Sequence, residues 1–324
     1  MTTSEETISD LRAMSAGSAG YAPVSADLLA RLADDAERGG PVWSLIGGHP
    51  QAAEPLFGIR AVAGVRWLML SGLAPELAEH LRHLTAGIGD RAYATHTWQL
   101  SAQALLDHPD HTLAALNRPV QQHQPGRAGV LLAALGMLGA PKVRLLELGA
   151  CAGLNLLVDH YRWFGPGWEW GDPDSPVRLV AHGKAPGDLT IVERAGCDLA
   201  PRDAADPADV LILHSFLPPE RDIERMELDD ALALAARSEV RVDKADAADW
   251  LAAELARPAG DGDGDRDVRT VVWHSLLWGY LTPRQQTEIE RVLSEAATRM
   301  PLARACFEPH NWGLAPRLQV TVYS

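Results

Sequence analysis

The stretch Glu147-Leu148-Gly149-Ala150-Cys151-Ala152-Gly153 holds the residue types whose spacing most restricts the chemistry of this chain. It follows the apolar run VRLLELG and leads into AGLNLLVDHYRW, whose apolar residues recur at helical spacing, so the segment reads as strand, loop and helix. A glycine at position 149 lets the backbone pass close to a ligand, and Gly153 permits close packing of helix on strand. A dinucleotide site calls for GxGxxG. Here Cys151 stands where the second glycine would be, which disfavours NAD and FAD. Glu147, at the strand's end, is an acid able to receive the ammonium of a methionine moiety. The cofactor expected from this loop is S-adenosyl-L-methionine, held by Glu147, Gly149, Ala150, Gly153 and Asn155.

Further candidates follow from strand ends. Asp198 closes LTIVERAGCD and is placed to hold ribose hydroxyls. Asp246 in VDKADAADW, with Ala247, is placed near an adenine amino group, although the same aspartate would also make a good N-cap for the next helix. His274 ends the strand RTVVWHS and is the expected substrate contact, as a proton acceptor or an orienting group. Trp273, Ser275, Trp278 and Tyr280 accompany it, and aromatic faces suit a sulfonium cation. His214 in LILHSF, and Glu308, His310, Asn311 and Trp312 after a later strand, are further polar groups that would line a pocket.

These residues must be positioned by an α/β framework. From Ser25, an expected N-cap, to Leu138 the chain reads as successive helices, with Gly39-Gly40 and Gly139 as stops. From Lys142 onward short apolar runs alternate with helices, which predicts a Rossmann-like, doubly wound, mostly parallel sheet. The expected division is residues 1–140 as a helical N-terminal region covering the active site and 141–324 as the cofactor-binding domain. The Gly/Asp-rich run RPAGDGDGDRD reads as an exposed loop rather than a cation site.

The 324 residues are 47% apolar and carry a formal net charge of -14, the wrong sign for tracking nucleic-acid phosphates or anionic lipid. Cys151, Cys197 and Cys306 are far apart and lack paired spacing, so no disulfide framework and no metal site is expected. The polar N-terminus and the absence of an apolar run of about 18–20 residues predict a soluble, cytoplasmic protein with no membrane partner. The sequence leaves the oligomeric state open. Neither GxSxG, GxxxxGK[ST] nor HExxH occurs, which argues against a hydrolase of that type, a P-loop enzyme and a zincin.

Five segments, ELGACAGLN, WGDPDSPV, GCDLAPRDAADP, DAADWL and VVWHSLLWGYLTP, occur in an order that resembles a bacterial family labelled as a domain of unknown function, over most of the chain. Its members resemble class I methyltransferase folds with a helical N-terminal region. The family commonly reads TQTNEVGR before the first strand. Gln121, Gly126 and Arg127 match that motif, while His123 and Gln124 replace its Asn and Glu. The resemblance implies that this segment closes over the methionine end of the cofactor, with Gln121 beside it and Arg127 pairing with the carboxylate.

The leading expectation is therefore an S-adenosyl-L-methionine-dependent methyltransferase acting on a small molecule. A second expectation keeps the cofactor and makes it the only substrate: its own amine or α-carbon attacks the γ-carbon, releasing methylthioadenosine and a small cyclic amino acid, with His123, His274 or Tyr280 as base. A third is a non-catalytic S-adenosyl-L-methionine-binding protein.

Overall fold

A computed structural model describes residues 3–82, 90–258, 268–310 and 315–323. Asn311, Trp312 and most of the Gly/Asp-rich run lie outside the described residues. The α-helices are α1 (Thr3–Ser18), α2 (Pro23–Glu37), α3 (Pro41–Ile46), α4 (Phe57–Leu70), α5 (Pro75–Leu81), α6 (Arg91–Asp107), α7 (Pro109–Leu116), α8 (Ala128–Leu138), α9 (Pro207–Ser215), α10 (Asp222–Ala235), α11 (Ala247–Ala256) and α12 (Pro283–Ala297). The strands are β1 (Lys142–Leu148), β2 (Arg162–Gly165), β3 (Trp168–Gly171), β4 (Arg178–Val180), β5 (Thr190–Asp198), β6 (Val242–Lys244), β7 (Val268–Ser275), β8 (Leu302–Glu308) and β9 (Arg317–Tyr323).

The chain divides into two compact units, Met1–Gln122 with Pro207–Arg225, and His123–Asp206 with Met226–Ser324. The first unit is helical around a core that includes Leu29, Leu32, Phe57, Val62, Leu68 and Leu116. Proline occupies the first turn of α2, α3, α5 and α7, where its missing N–H costs no hydrogen bond. Ser25 does not cap α2, which starts two residues earlier at Pro23. Its hydroxyl instead accepts a hydrogen bond from the buried Arg66. Helix α9 belongs to this unit although it comes late in the chain, because it packs on α4 and the Arg66 guanidinium donates to the carbonyl of Ser215.

The second unit is built on a six-stranded sheet in the order β6-β5-β1-β7-β8-β9, parallel except for β9, which runs antiparallel at one edge. A separate three-stranded sheet, β3-β2-β4, is formed by the RWFGPGWEWG hairpin and β4. The division at residue 140 also shifts. Helix α8 falls with the sheet, packing against β8, β9 and the segment after β1. Its sequence, AGVLLAALGML, is apolar on nearly every side; Leu131, Leu132 and Leu135 are buried, while Met137 is exposed. The helix expected after β1 is absent in regular form: Leu154–His160 is a 3-10 stretch broken at Leu157.

Register fixes which residues share a sheet face, since side chains alternate along a strand. Glu147 stands level with Gly196 of β5 and Trp273 of β7, so their side-chain positions share one face. Leu148, His274 and Cys306 are level with one another on the opposite face, where Leu146, Val272 and Leu302 meet α11 and α12. Among the described residues no single helix is long and apolar enough to cross a membrane.

Candidate functional site at the end of β1

The second unit assembles a polar group where the strand order reverses, with β5 on one side of β1 and β7 on the other. Open parallel sheets bind ligands in the crevice beyond such a point. The backbone turns sharply there. Gly149, Cys151 and Gly153 all have positive φ, at 71°, 52° and 71°. A Cβ on Gly153 would lie 2.7 Å from Val240, so this glycine serves the close packing inferred for it. Cys151 adopts the left-handed region despite its side chain, a conformation that strongly favours glycine. The loop is held to β5: the N–H groups of Gly149 and Ala150 both donate to the Cys197 carbonyl at 2.9 Å, and the Cys151 N–H donates to the Asp198 carboxylate at 3.0 Å.

Glu147 is 1% exposed. Its Oε1 accepts from Asn155 Nδ2 at 2.7 Å, while Oε2 is buried without a hydrogen-bond partner. Burial pushes its carboxyl up to about 8, against the opposing pull of Asn155 and of Arg127. The Trp273 indole is near enough to favour the charged form, but its N–H completes no hydrogen bond of acceptable geometry. Asn155 Oδ1 is likewise buried and unpartnered. His123 is buried, its Nε2 has no partner, and burial together with the nearby Arg127 charge depresses it to about 3, so the imidazole is neutral. Arg127 acts electrostatically on both Glu147 and His123, which places all three in one neighbourhood. A buried polar atom left unpaired costs roughly 1–3 kcal/mol, and atoms on Glu147, Asn155, His123 and Trp273 are among those so placed in the described part of this unit.

Asp198 stands at the end of β5 and spends one oxygen on Cys151 N–H and the other on Ala200 N–H. Asp246 is the N-cap of α11, accepting from Ala248 N–H at 2.9 Å, and it also accepts from Gln285 at 2.5 Å. Ala247 begins that helix and is buried. Both aspartates thus have structural partners at the positions the sequence indicated.

His274 departs from its expected place. It lies on the sheet face opposite Glu147 and Trp273, and it is fully buried. Its Nδ1 lies 2.7 Å from Glu308 Oε1, and its Nε2 accepts from Arg304 Nε at 3.0 Å. Because Arg donates only, Nε2 must be the acceptor and Nδ1 must carry the proton. Burial lowers the imidazole's proton affinity, against the pull of Glu308. With both nitrogens engaged, His274 has no lone pair left for a substrate proton. Trp278 stacks on it at 5.2 Å, Ser275 follows on the Trp273 face, and Tyr280 is 42% exposed. Gln121 and His214 fall in the first unit, Gln121 buried and His214 in the last turn of α9.

Arg304 escaped the sequence reading because a lone arginine within ARACFE carries no motif; only the pairing of β7 with β8 brings it beside His274. No curated protein and no solved structure matches the chain. A family model described as an uncharacterized protein conserved in bacteria (DUF2332) matches residues 10–324, and the chain belongs to that family.

Proposed function

We propose that the second unit is a Rossmann-like domain of the class I methyltransferase type, and that it binds S-adenosyl-L-methionine at the β1 loop and acts on a small molecule. The observation that carries this reading is the buried pair of unpartnered acceptors, Glu147 Oε2 and Asn155 Oδ1, beside a glycine turn at the reversal of the strand order. Two buried acceptors suit a primary ammonium, which has three N–H donors to place. The residues present fit the methionine end of the cofactor: Glu147 and Asn155 for the ammonium, Arg127 for the carboxylate. Asp198 and Asp246 stand at the next two strand ends, where ribose and adenine would be held. The cofactor when bound supplies an electrophilic methyl group. Positioning and exclusion of water suffice for methyl transfer to a reactive acceptor.

A second reading is favoured by the proton affinity of Glu147. A carboxylate held up to about 8 can take a proton from an amine beside it, as intramolecular cyclisation of the methionine moiety would need. Incubation with S-adenosyl-L-methionine alone separates the two: methylthioadenosine released without an acceptor supports cyclisation. Calorimetry with S-adenosylhomocysteine tests the common premise. Absence of binding by wild-type protein removes both readings.

A further inference from the structure

The segment after β7 is built in an unusual way. Leu276 has a φ of 52°, a left-handed conformation that a branched side chain rarely adopts, so the turn must be held by its surroundings. Three hydrogen bonds hold it: Leu276 N–H to the Phe307 carbonyl at 3.1 Å, Leu277 N–H to Glu308 Oε1 at 2.9 Å, and Gln286 Nε2 to the Trp278 carbonyl at 2.8 Å. Glu308 is itself fixed, since the same Oε1 meets His274 Nδ1. His274 and Arg304, joined by a hydrogen bond, both lie against the Trp278 ring, the guanidinium 4.1 Å from its centroid. Glu290 of α12 pairs with the outer side of Arg304 and with the Tyr323 hydroxyl of β9. So fixed, the turn lays the Leu277 side chain over Gly149: its Cδ1 stands 3.0 Å from where a Cβ on that glycine would be.

We propose that Glu308 and His274 are positioning residues, which seat the turn after β7 so that Leu277 holds the Gly149–Gly153 loop in its ligand-accepting conformation. The proposal rests on reading that loop as the cofactor loop, but its mechanical part concerns the free protein and is tested there. Glu308 bridges the imidazole and the turn. Removing its carboxylate frees Leu277, and replacing it by an amide keeps an oxygen for both donors.

The test is hydrogen–deuterium exchange of full-length protein without ligand, read at the peptide covering residues 147–153, whose amides are bonded to Cys197, Asp198 and Ala150. Glu308→Ala and Leu277→Ala should each speed that exchange about tenfold, whereas Glu308→Gln should resemble wild type. S-adenosylhomocysteine affinity should fall by about tenfold in the two alanine variants and recover in Glu308→Gln. Should Glu308→Ala fail to fold, Leu277→Ala reads the same contact from the part-exposed turn. Faster exchange confined to residues 275–281, with 147–153 unchanged, would overturn the proposal. If the exchange results hold while wild type binds no S-adenosylhomocysteine, the coupling stands and the cofactor assignment falls.

Discussion

At the scale of single residues, Glu147 combines burial with an incomplete set of hydrogen bonds, and its titration makes that measurable. Its folded proton affinity, about 8, lies above the ordinary 4.5. As pH rises the unfolded chain ionises first, so stability contributed by this group is full below 4.5 and drains away up to about 8, at about 1.4 kcal/mol per pH unit. Glu147→Gln should remove that slope, leaving a variant more stable than wild type by about 1–3 kcal/mol at pH 8 in thermal melts, yet at least about tenfold weaker for S-adenosylhomocysteine. A cationic ligand requires the ionised carboxylate. Binding below pH 8 should therefore release a proton from Glu147, visible as a calorimetric enthalpy that changes with the ionisation enthalpy of the buffer. His123 acts on the acid side. Depressed from 6.5 to about 3, it lets the unfolded chain take up a proton first as pH falls below 6.5, so stability declines down to about 3; His123→Gln should flatten that limb. Glu147 and the glycine turn were legible in the sequence because acid and glycine sit at fixed spacing in one short segment.

At the scale of elements, the placement of His274 shows what spacing alone leaves open. A histidine ending a strand is visible in the sequence, but its sheet face depends on register with β1, and register is a property of two segments 126 positions apart. Pairing Glu147 with Trp273 puts Trp273 on the site's face and His274 on the other. The broken 3-10 stretch Leu154–His160 was masked by helical periodicity in LNLLVDHYRW; the chain must instead turn early to feed the β2–β3 hairpin. Glycines on neighbouring strands also matter through contacts that no local pattern reveals. Gly196 faces Ala150, and a Cβ there would lie 2.5 Å from the Ala150 methyl and 3.2 Å from the Glu147 carbonyl. Gly196→Ala should cost about 1–3 kcal/mol by overpacking and should disturb the β1 loop, read as a lower Tm together with weaker S-adenosylhomocysteine binding. Gly149→Val is a less selective probe, because a φ of 71° and the proximity of Leu277 strain that variant whether or not a ligand binds.

At the scale of the molecule, alternating strands and helices announced the mixed α/β sheet, and a run of helices announced the first unit. The return of Pro207–Arg225 to that unit could not be read, since its residues look like any apolar helix between two strands. Helix α9 packs on α4 of the first unit, and Ser215 accepts from Arg66, whose side chain is buried. A fragment ending at Gln122 should consequently lack a cooperative thermal transition by circular dichroism, whereas the full chain should melt with one. That interleaving also sets an order of events during synthesis. A ribosome delivers the chain from its N-terminus, and domains emerging whole can fold as they appear. Here the first unit waits for residue 225, so β1 and β5 are already made before that unit has all its residues. The nascent protein must carry the beginnings of both units at once, and its early helices depend on whatever shields their apolar faces until the last piece arrives.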